Sequence, residues 1–188
     1  MSMIDMSTPT RWTTYESPLG PLTLRGGESG LTALHFPGHG GQLAEDDRAP
    51  DLFADAVRQL EEYFAGDRRQ FELELDLGGT PMQRSVWRAL TAIPHGTTIS
   101  YSALARALGR PAGVRAVAAA VGRTPVPIIV PCHRVVAVDG ALTGYRGGLP
   151  RKQALLDLER RAARQPAGTA SSASSTSRPI SCARLAAF

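Results

Sequence analysis

The first feature of this sequence that could do chemistry is a cysteine beside a histidine. Cys132 and His133 lie in Pro131-Cys132-His133-Arg134-Val135, and residues 77–138 around them hold seven arginines and no Asp or Glu. The thiolate is the reactive form of cysteine, and positive surroundings favour it. His133 is the natural base for that thiol. Adjacent residues of an extended chain point to opposite sides, so the two side chains would meet through a bridging water more readily than directly. A third group should orient the imidazole, and Glu159, on a helix after a Gly-rich loop, is the acid chosen for it. On residue type alone, Cys132 fits a small buried apolar position as well as it fits a nucleophile. Neither Cys132 nor Cys182 belongs to a CxxC pair, and His35, His39, His95 and His133 are scattered, so neither a metal site nor a cofactor is expected.

The elements that carry these residues divide the chain into two units and a tail. In the first unit, apolar stretches at 22–24 and 31–36 are separated by Ser17-Pro18-Leu19-Gly20 and Gly26-Gly27-Glu28-Ser29-Gly30, which reads as a strand meander with tight turns. Asp51 can cap a helix with Phe53, Val57, Leu60 and Phe64 at helical spacing, and Gly66 stops it. Phe71, Leu73, Leu75 and Leu77 then alternate with Glu72, Glu74 and Asp76, the pattern of a half-buried strand. Gly78-Gly79 closes this α+β unit, so residues 1–79 form one expected domain and 80–164 the next.

The second unit opens on Thr80-Pro81-Met82-Gln83, a capping box with Pro at the first helical position, followed by Val86, Leu90 and Ile93 on one side. Ser100 can cap a short helix that stops at Gly109, and Pro111 can start another running to Gly122, a helix-turn-helix pattern. On that second helix Val114, Val117, Ala118 and Val121 should be buried. Its outer face would be Ala112, Ala116, Ala119 and Arg123, with Arg115 at the edge. Small residues let a helix backbone come close to another surface, such as a DNA groove; an alanine-rich helix chosen for propensity explains the same face equally well. Pro125-Val126-Pro127-Ile128-Ile129-Val130-Pro131 has too many prolines for a central strand and reads as a rigid buried segment that delivers Cys132. From Gln165 onward Ala, Ser, Thr and Pro dominate, and residues 165–188 read as a disordered tail carrying Cys182.

Charge follows the same division. Residues 1–76 carry six Arg and fourteen Asp or Glu, whereas the remainder is strongly basic, and the chain totals +4 with an ordinary globular apolar content of 43%. A basic half on an otherwise acidic chain fits a polyanion partner, nucleic acid first, although a solvated basic face would show the same counts. No apolar run is long enough to span a bilayer and the first ten residues lack a signal-peptide pattern, so a cytoplasmic protein is expected.

Pro131-Cys132-His133-Arg134-Val135 resembles the active-site signature of the O6-alkylguanine-DNA alkyltransferases, the methylated-DNA–protein-cysteine methyltransferases. Ile99-Ser100-Tyr101, Val114-Arg115-Ala116-Val117, Pro125-Val126-Pro127-Ile128, Gly144-Tyr145 with Gly147-Gly148, and Leu155-Leu156 to Glu159 follow in that family's order and spacing. The resemblance implies an α+β protein: an N-terminal ribonuclease-H-like antiparallel-sheet domain and a mainly helical, winged-helix-like C-terminal domain. It implies that Cys132 attacks the alkyl carbon of O6-alkylguanine and keeps the group, with Cys132, a water, His133 and Glu159 as a proton relay. The partner would be double-stranded DNA bearing the alkylated guanine, met by a monomer that joins the nucleoid when bound.

By the same resemblance Arg115 is a finger that holds the gap left by a flipped nucleotide, and Tyr101 helps rotate that nucleotide and hydrogen-bonds the base. Tyr145 and the backbone from Val135 to Gly147 would form the guanine pocket. Ala116, Arg123, Thr124, Arg134 and Arg146 complete the expected DNA- and base-binding set. Two positions depart from the family pattern: Thr124 replaces an Asn that braces the turn before Pro-Val-Pro, and Arg146 replaces a small residue. O4-alkylthymine would be a minor substrate. An alkyltransferase-like damage sensor lacks the acceptor cysteine, so Cys132 argues against that reading; a redox-sensing helix-turn-helix regulator fits the alanine face and the buried Pro-Cys-His segment poorly.

Overall fold

The computed structural model describes residues 10–41 and 43–164; the tail at 165–188, with Cys182, lies outside the described residues. The backbone groups into two compact units, residues 1–78 and 79–188. The architecture is α+β, with an antiparallel sheet in the first unit and a helical second unit. No helix among the described residues is long and apolar enough to cross a membrane.

The first unit is built on β1 (Arg11–Ser17), β2 (Gly20–Gly27) and β3 (Gly30–His35), an antiparallel meander in which Tyr15 faces Leu22 and Leu24 faces Leu34. Strand alternation puts Leu22, Leu24, Leu31 and Leu34 on the buried side. Helix α1 (Ala54–Ala65) covers them with Ala56, Leu60 and Tyr63 and ends on Gly66 in the left-handed conformation. Its start differs from expectation. Pro50–Phe53 form a 3₁₀ turn, Phe53 occupies the N-cap, and Asp51 makes no side-chain cap.

The 71–77 segment is also not the strand that its alternation suggests. The alternation does appear in burial, half-buried against exposed, but pairing is confined to a single bridge between Leu31 and Leu75. Leu31 N–H donates to Glu74 O at 2.9 Å and Asp76 N–H donates to Leu31 O at 2.9 Å. The buried amide of Gln59 takes the backbone of Glu72, donating to its carbonyl at 2.9 Å and accepting from its N–H at 2.8 Å. A helix side chain thus satisfies backbone groups that a strand would offer to a neighbour.

In the second unit, α2 (Pro81–Thr91) starts on the full capping box, Thr80 Oγ1 accepting from Gln83 N–H and Gln83 Oε1 from Thr80 N–H. Ser100 caps α3 (Tyr101–Ala107) by accepting from Ala103 N–H at 3.1 Å. Pro111 opens a 3₁₀ turn, Pro111–Gly113, before α4 (Val114–Gly122) begins. On α4 the fully buried residues are Val117, Ala120 and Val121; Val114 and Ala118, expected inside, are half-buried. Ala120 goes inward because Trp87 of α2 lies against it and donates Nε1–H to its carbonyl at 3.0 Å. A two-residue strand β4 (Ile99–Ser100) pairs in parallel with β5 (Val135–Val136), fixing the chain just past Cys132 to the start of the helix-turn-helix. Helix α5 (Leu149–Arg164) completes the unit.

Candidate active site

The segment that delivers Cys132 is rigid for identifiable reasons. Val126, Ile128 and Val130 are fully buried, three prolines fix φ around them, and Val130 N–H bonds Val126 O at 2.9 Å. Ile128 has φ +77°, left-handed backbone that a β-branched residue adopts only under compulsion, at a cost of ~1–3 kcal/mol. The following turn, Cys132–Arg134, is 3₁₀ and not extended, so successive side chains fan out around it. The sequence expectation of opposite-facing Cys132 and His133 assumed extended backbone, which this turn replaces.

His133 is fully buried, and its Nε2 lies 2.9 Å from Glu159 Oε1. Burial holds the imidazole pKa below its usual value even though Glu159 pulls the other way, so the ring is neutral at neutral pH. Glu159 is held ionised: against the upward pull of burial, hydrogen bonds from His133 and Arg134 keep its carboxyl well below the usual carboxylate range. An ionised carboxylate only accepts, so the single ring proton of His133 must sit on Nε2. Nδ1 is then a lone pair. It is buried and has no hydrogen-bond partner among the described residues.

Glu159 accepts from more than His133. Arg134 donates Nε–H at 2.9 Å and Nη2–H at 2.8 Å, and Gly96 N–H donates at 2.9 Å. Arg134 Nη1 donates to Ile93 O at 2.5 Å. This corrects the expectation for Arg134: the residue is buried, all three of its donor nitrogens are engaged inside the protein, and it offers no guanidinium to DNA. The pair is charge-balanced without His133, which leaves the imidazole free to stay neutral.

Cys132 itself is buried, 7% exposed. Burial pushes its thiol up to about 11, while the Thr124 hydroxyl, the Lys152 ammonium and the backbone N–H groups of Cys132 and His133 pull it back down. Thr124 is buried too, which corrects its expected place among DNA-binding side chains. Its one hydroxyl proton serves either the Val121 carbonyl, to which it donates at 2.8 Å, or the sulfur. Thr124 therefore joins the last turn of α4 to the thiol. Val135 has a fully buried side chain, so only its backbone can face a ligand.

Beside this cluster, Tyr101 is half-buried and donates its hydroxyl to Thr143 O at 3.3 Å. Tyr145 is half-buried and Gly147 buried; Arg146 is exposed. Arg115, Ala116 and Arg123 lie with Ala112 and Ala119 on the exposed face of α4, giving a helix surface with short side chains and two guanidinium groups. Two participants escaped the sequence reading. Gly96 contributes a backbone N–H that no side-chain pattern reveals. Lys152 had a signal: it precedes Leu155, Leu156 and Glu159 by three, four and seven residues, which puts it on the same buried face of α5.

Two family models match the chain. Residues 10–77 match the ribonuclease-like domain of 6-O-methylguanine DNA methyltransferase, and residues 81–161 match its DNA-binding domain. A methylated-DNA–protein-cysteine methyltransferase of Mycolicibacterium paratuberculosis is 50% identical over 153 residues, covering 79% of this chain and 91% of the relative. The constitutive methylated-DNA–protein-cysteine methyltransferase of Bacillus subtilis is 44% identical over 157 residues, 79% of this chain and 94% of that protein. The crystal structure of Mycobacterium tuberculosis OGT in complex with DNA has a TM-score of 0.73 and 48% identity, covering 81% of this chain and 94% of that one.

Proposed function

This chain belongs to the 6-O-methylguanine DNA methyltransferase family, and we propose that it repairs DNA by moving the alkyl group of O6-alkylguanine onto Cys132. The observation that carries the reading is the bare Nδ1 of His133. Its ring is fixed by Glu159, its tautomer leaves a lone pair on the side away from the carboxylate, and it follows Cys132 directly in a tight turn. A water between Nδ1 and the sulfur would take the thiol proton and pass it to His133.

The thiolate attacks the alkyl carbon in line with the C–O6 bond. The S–C bond forms as the C–O6 bond breaks, its electron pair goes to the guanine, and the proton held by the His133 relay is returned to the departing base. The product is a thioether, which is no leaving group, so each protein acts once. Burial that keeps the resting thiol protonated also suits this chemistry, since a permanently exposed thiolate would be spent on other electrophiles.

O6 is reachable only once the nucleotide has left the helix. Arg115, rising from the short-residue face of α4, would hold the gap, with Arg123 and Arg146 on phosphates and the Ala112, Ala116 and Ala119 surface against the groove. Tyr101, Tyr145 and the backbone of residues 135–147 would enclose the flipped base. O4-alkylthymine presents the same alkylated oxygen beside a ring nitrogen and is the minor substrate this pocket would admit. The working form is a monomer on duplex DNA, cytoplasmic and nucleoid-bound when engaged.

The test is intact-protein mass spectrometry after incubation with duplex DNA carrying one O6-methylguanine. One added methyl group, localised to the Cys132 peptide and missing in Cys132→Ala, is the expected result. Tight binding to the lesion with no change in mass would replace repair with damage sensing.

A further inference from the structure

Lys152 is the only lysine of the chain, and its side chain is fully buried. Its Nζ donates to Val135 O at 2.6 Å and to Thr143 O at 2.8 Å, and lies 5.9 Å from the centre of the Tyr101 ring. Among the described residues no carboxylate pairs with it. The other buried cation of the unit, Arg134, has Glu159. A buried ammonium satisfied by neutral carbonyls alone still lacks a counter-charge, an arrangement that costs several kcal/mol relative to a paired one.

We propose that Lys152 is a positioning residue for the alkyl transfer, whose ammonium awaits the Cys132 thiolate as its counter-charge and ties Val135 and Thr143 together beneath Tyr101. The inference rests on Cys132 being the acceptor. Three titratable groups face this charge: Cys132, Tyr101 and, with the Arg134–Glu159 pair behind it, His133. The sulfur and the ammonium affect each other in both directions: Lys152 draws the thiol down and Cys132 draws the ammonium up. The same contact explains why the base pocket would need no assembly when DNA arrives. Val135 follows the nucleophile on β5, Thr143 belongs to the Gly-rich loop, and Tyr101 opens α3; one side chain from α5 touches all three.

Because there is one lysine, a full-length protein labelled with ¹³C at lysine Cε gives a single resonance from Lys152. Its titration is followed in the wild type and in Cys132→Ala. The midpoint is expected to be about one pH unit lower in Cys132→Ala, and coinciding midpoints would overturn the proposal. The reciprocal measurement is the thiolate absorbance of Cys132 in a Cys182→Ser background. Lys152→Met is expected to reduce the thiolate fraction at a given alkaline pH about tenfold, with Lys152→Arg restoring most of it. A folded Lys152→Met with an unchanged Cys132 titration also overturns the proposal, and should that variant fail to fold, the lysine titration decides alone. Neither titration uses DNA, so failure to accept a methyl group from DNA would remove the proposed repair function without being mistaken for failure of this coupling.

Discussion

Replacing Glu159 by Gln tests the centre of the site. The variant keeps the shape of the side chain but removes the only negative charge beside Arg134, which is buried and bonded to nothing else anionic. It also turns one acceptor oxygen into an NH₂ donor facing the N–H groups of Arg134, His133 and Gly96. Removing one partner of a buried ion pair costs about 3–5 kcal/mol, since the other charge is left without compensation. At roughly 2–8 °C per kcal/mol for domains of this size, the Tm should fall by about 10 °C or more. Asp157→Asn, which breaks an exposed pair with Arg160 on the same helix, should leave the Tm unchanged within error. Thermal unfolding followed by circular dichroism measures both. Combining Glu159→Gln with Arg134→Met should cost less than the two single changes added together, because the orphaned cation is then gone. If Glu159→Gln unfolds within about 2 °C of the wild type, the assignment of Glu159 as the charge that holds this cluster together is wrong.

Acid should weaken the fold in two stages. An unfolded His133 takes a proton below about pH 6.5 and an unfolded Glu159 below about 4.3, whereas both resist in the folded state, so the unfolded state binds more protons and stability falls with pH through each range. His133→Gln should flatten the upper stage of a Tm-against-pH curve and leave the lower one; an unchanged curve would mean that His133 is not held neutral. Arg115→Ala should slow alkyl transfer from duplex DNA about tenfold or more, the factor that ~1.4 kcal/mol of lost gap stabilisation represents, and spare transfer from free O6-benzylguanine, which needs no flipping. Equal losses on both substrates would refute the finger role. Ala116→Glu adds bulk and negative charge to the exposed face of α4 and should weaken DNA binding by about tenfold or more without lowering the Tm, as like charges at an interface repel. DNA affinity unchanged by gel shift would take that face out of the interface.

The sequence by itself determined what local rules govern. The capping box at Thr80 and Gln83, the Ser100 cap, the Gly66 stop and the β1–β2–β3 meander are short-range hydrogen-bond and turn chemistry, and each is written in a few consecutive residues. Proline spacing likewise announced a rigid buried run ahead of Cys132. Only the tertiary structure decided which distant groups meet. His133 and Glu159 are 26 residues apart, and their contact depends on where α5 packs. Arg134 reads as one more base for DNA until Glu159 and Ile93 turn it inward. The 71–77 segment alternates as a strand does, yet Gln59 claims its backbone before a neighbouring strand can. In each case the deciding term is the cost of burying an unsatisfied charge or backbone group, which depends on what packing brings within reach and has no period along the chain.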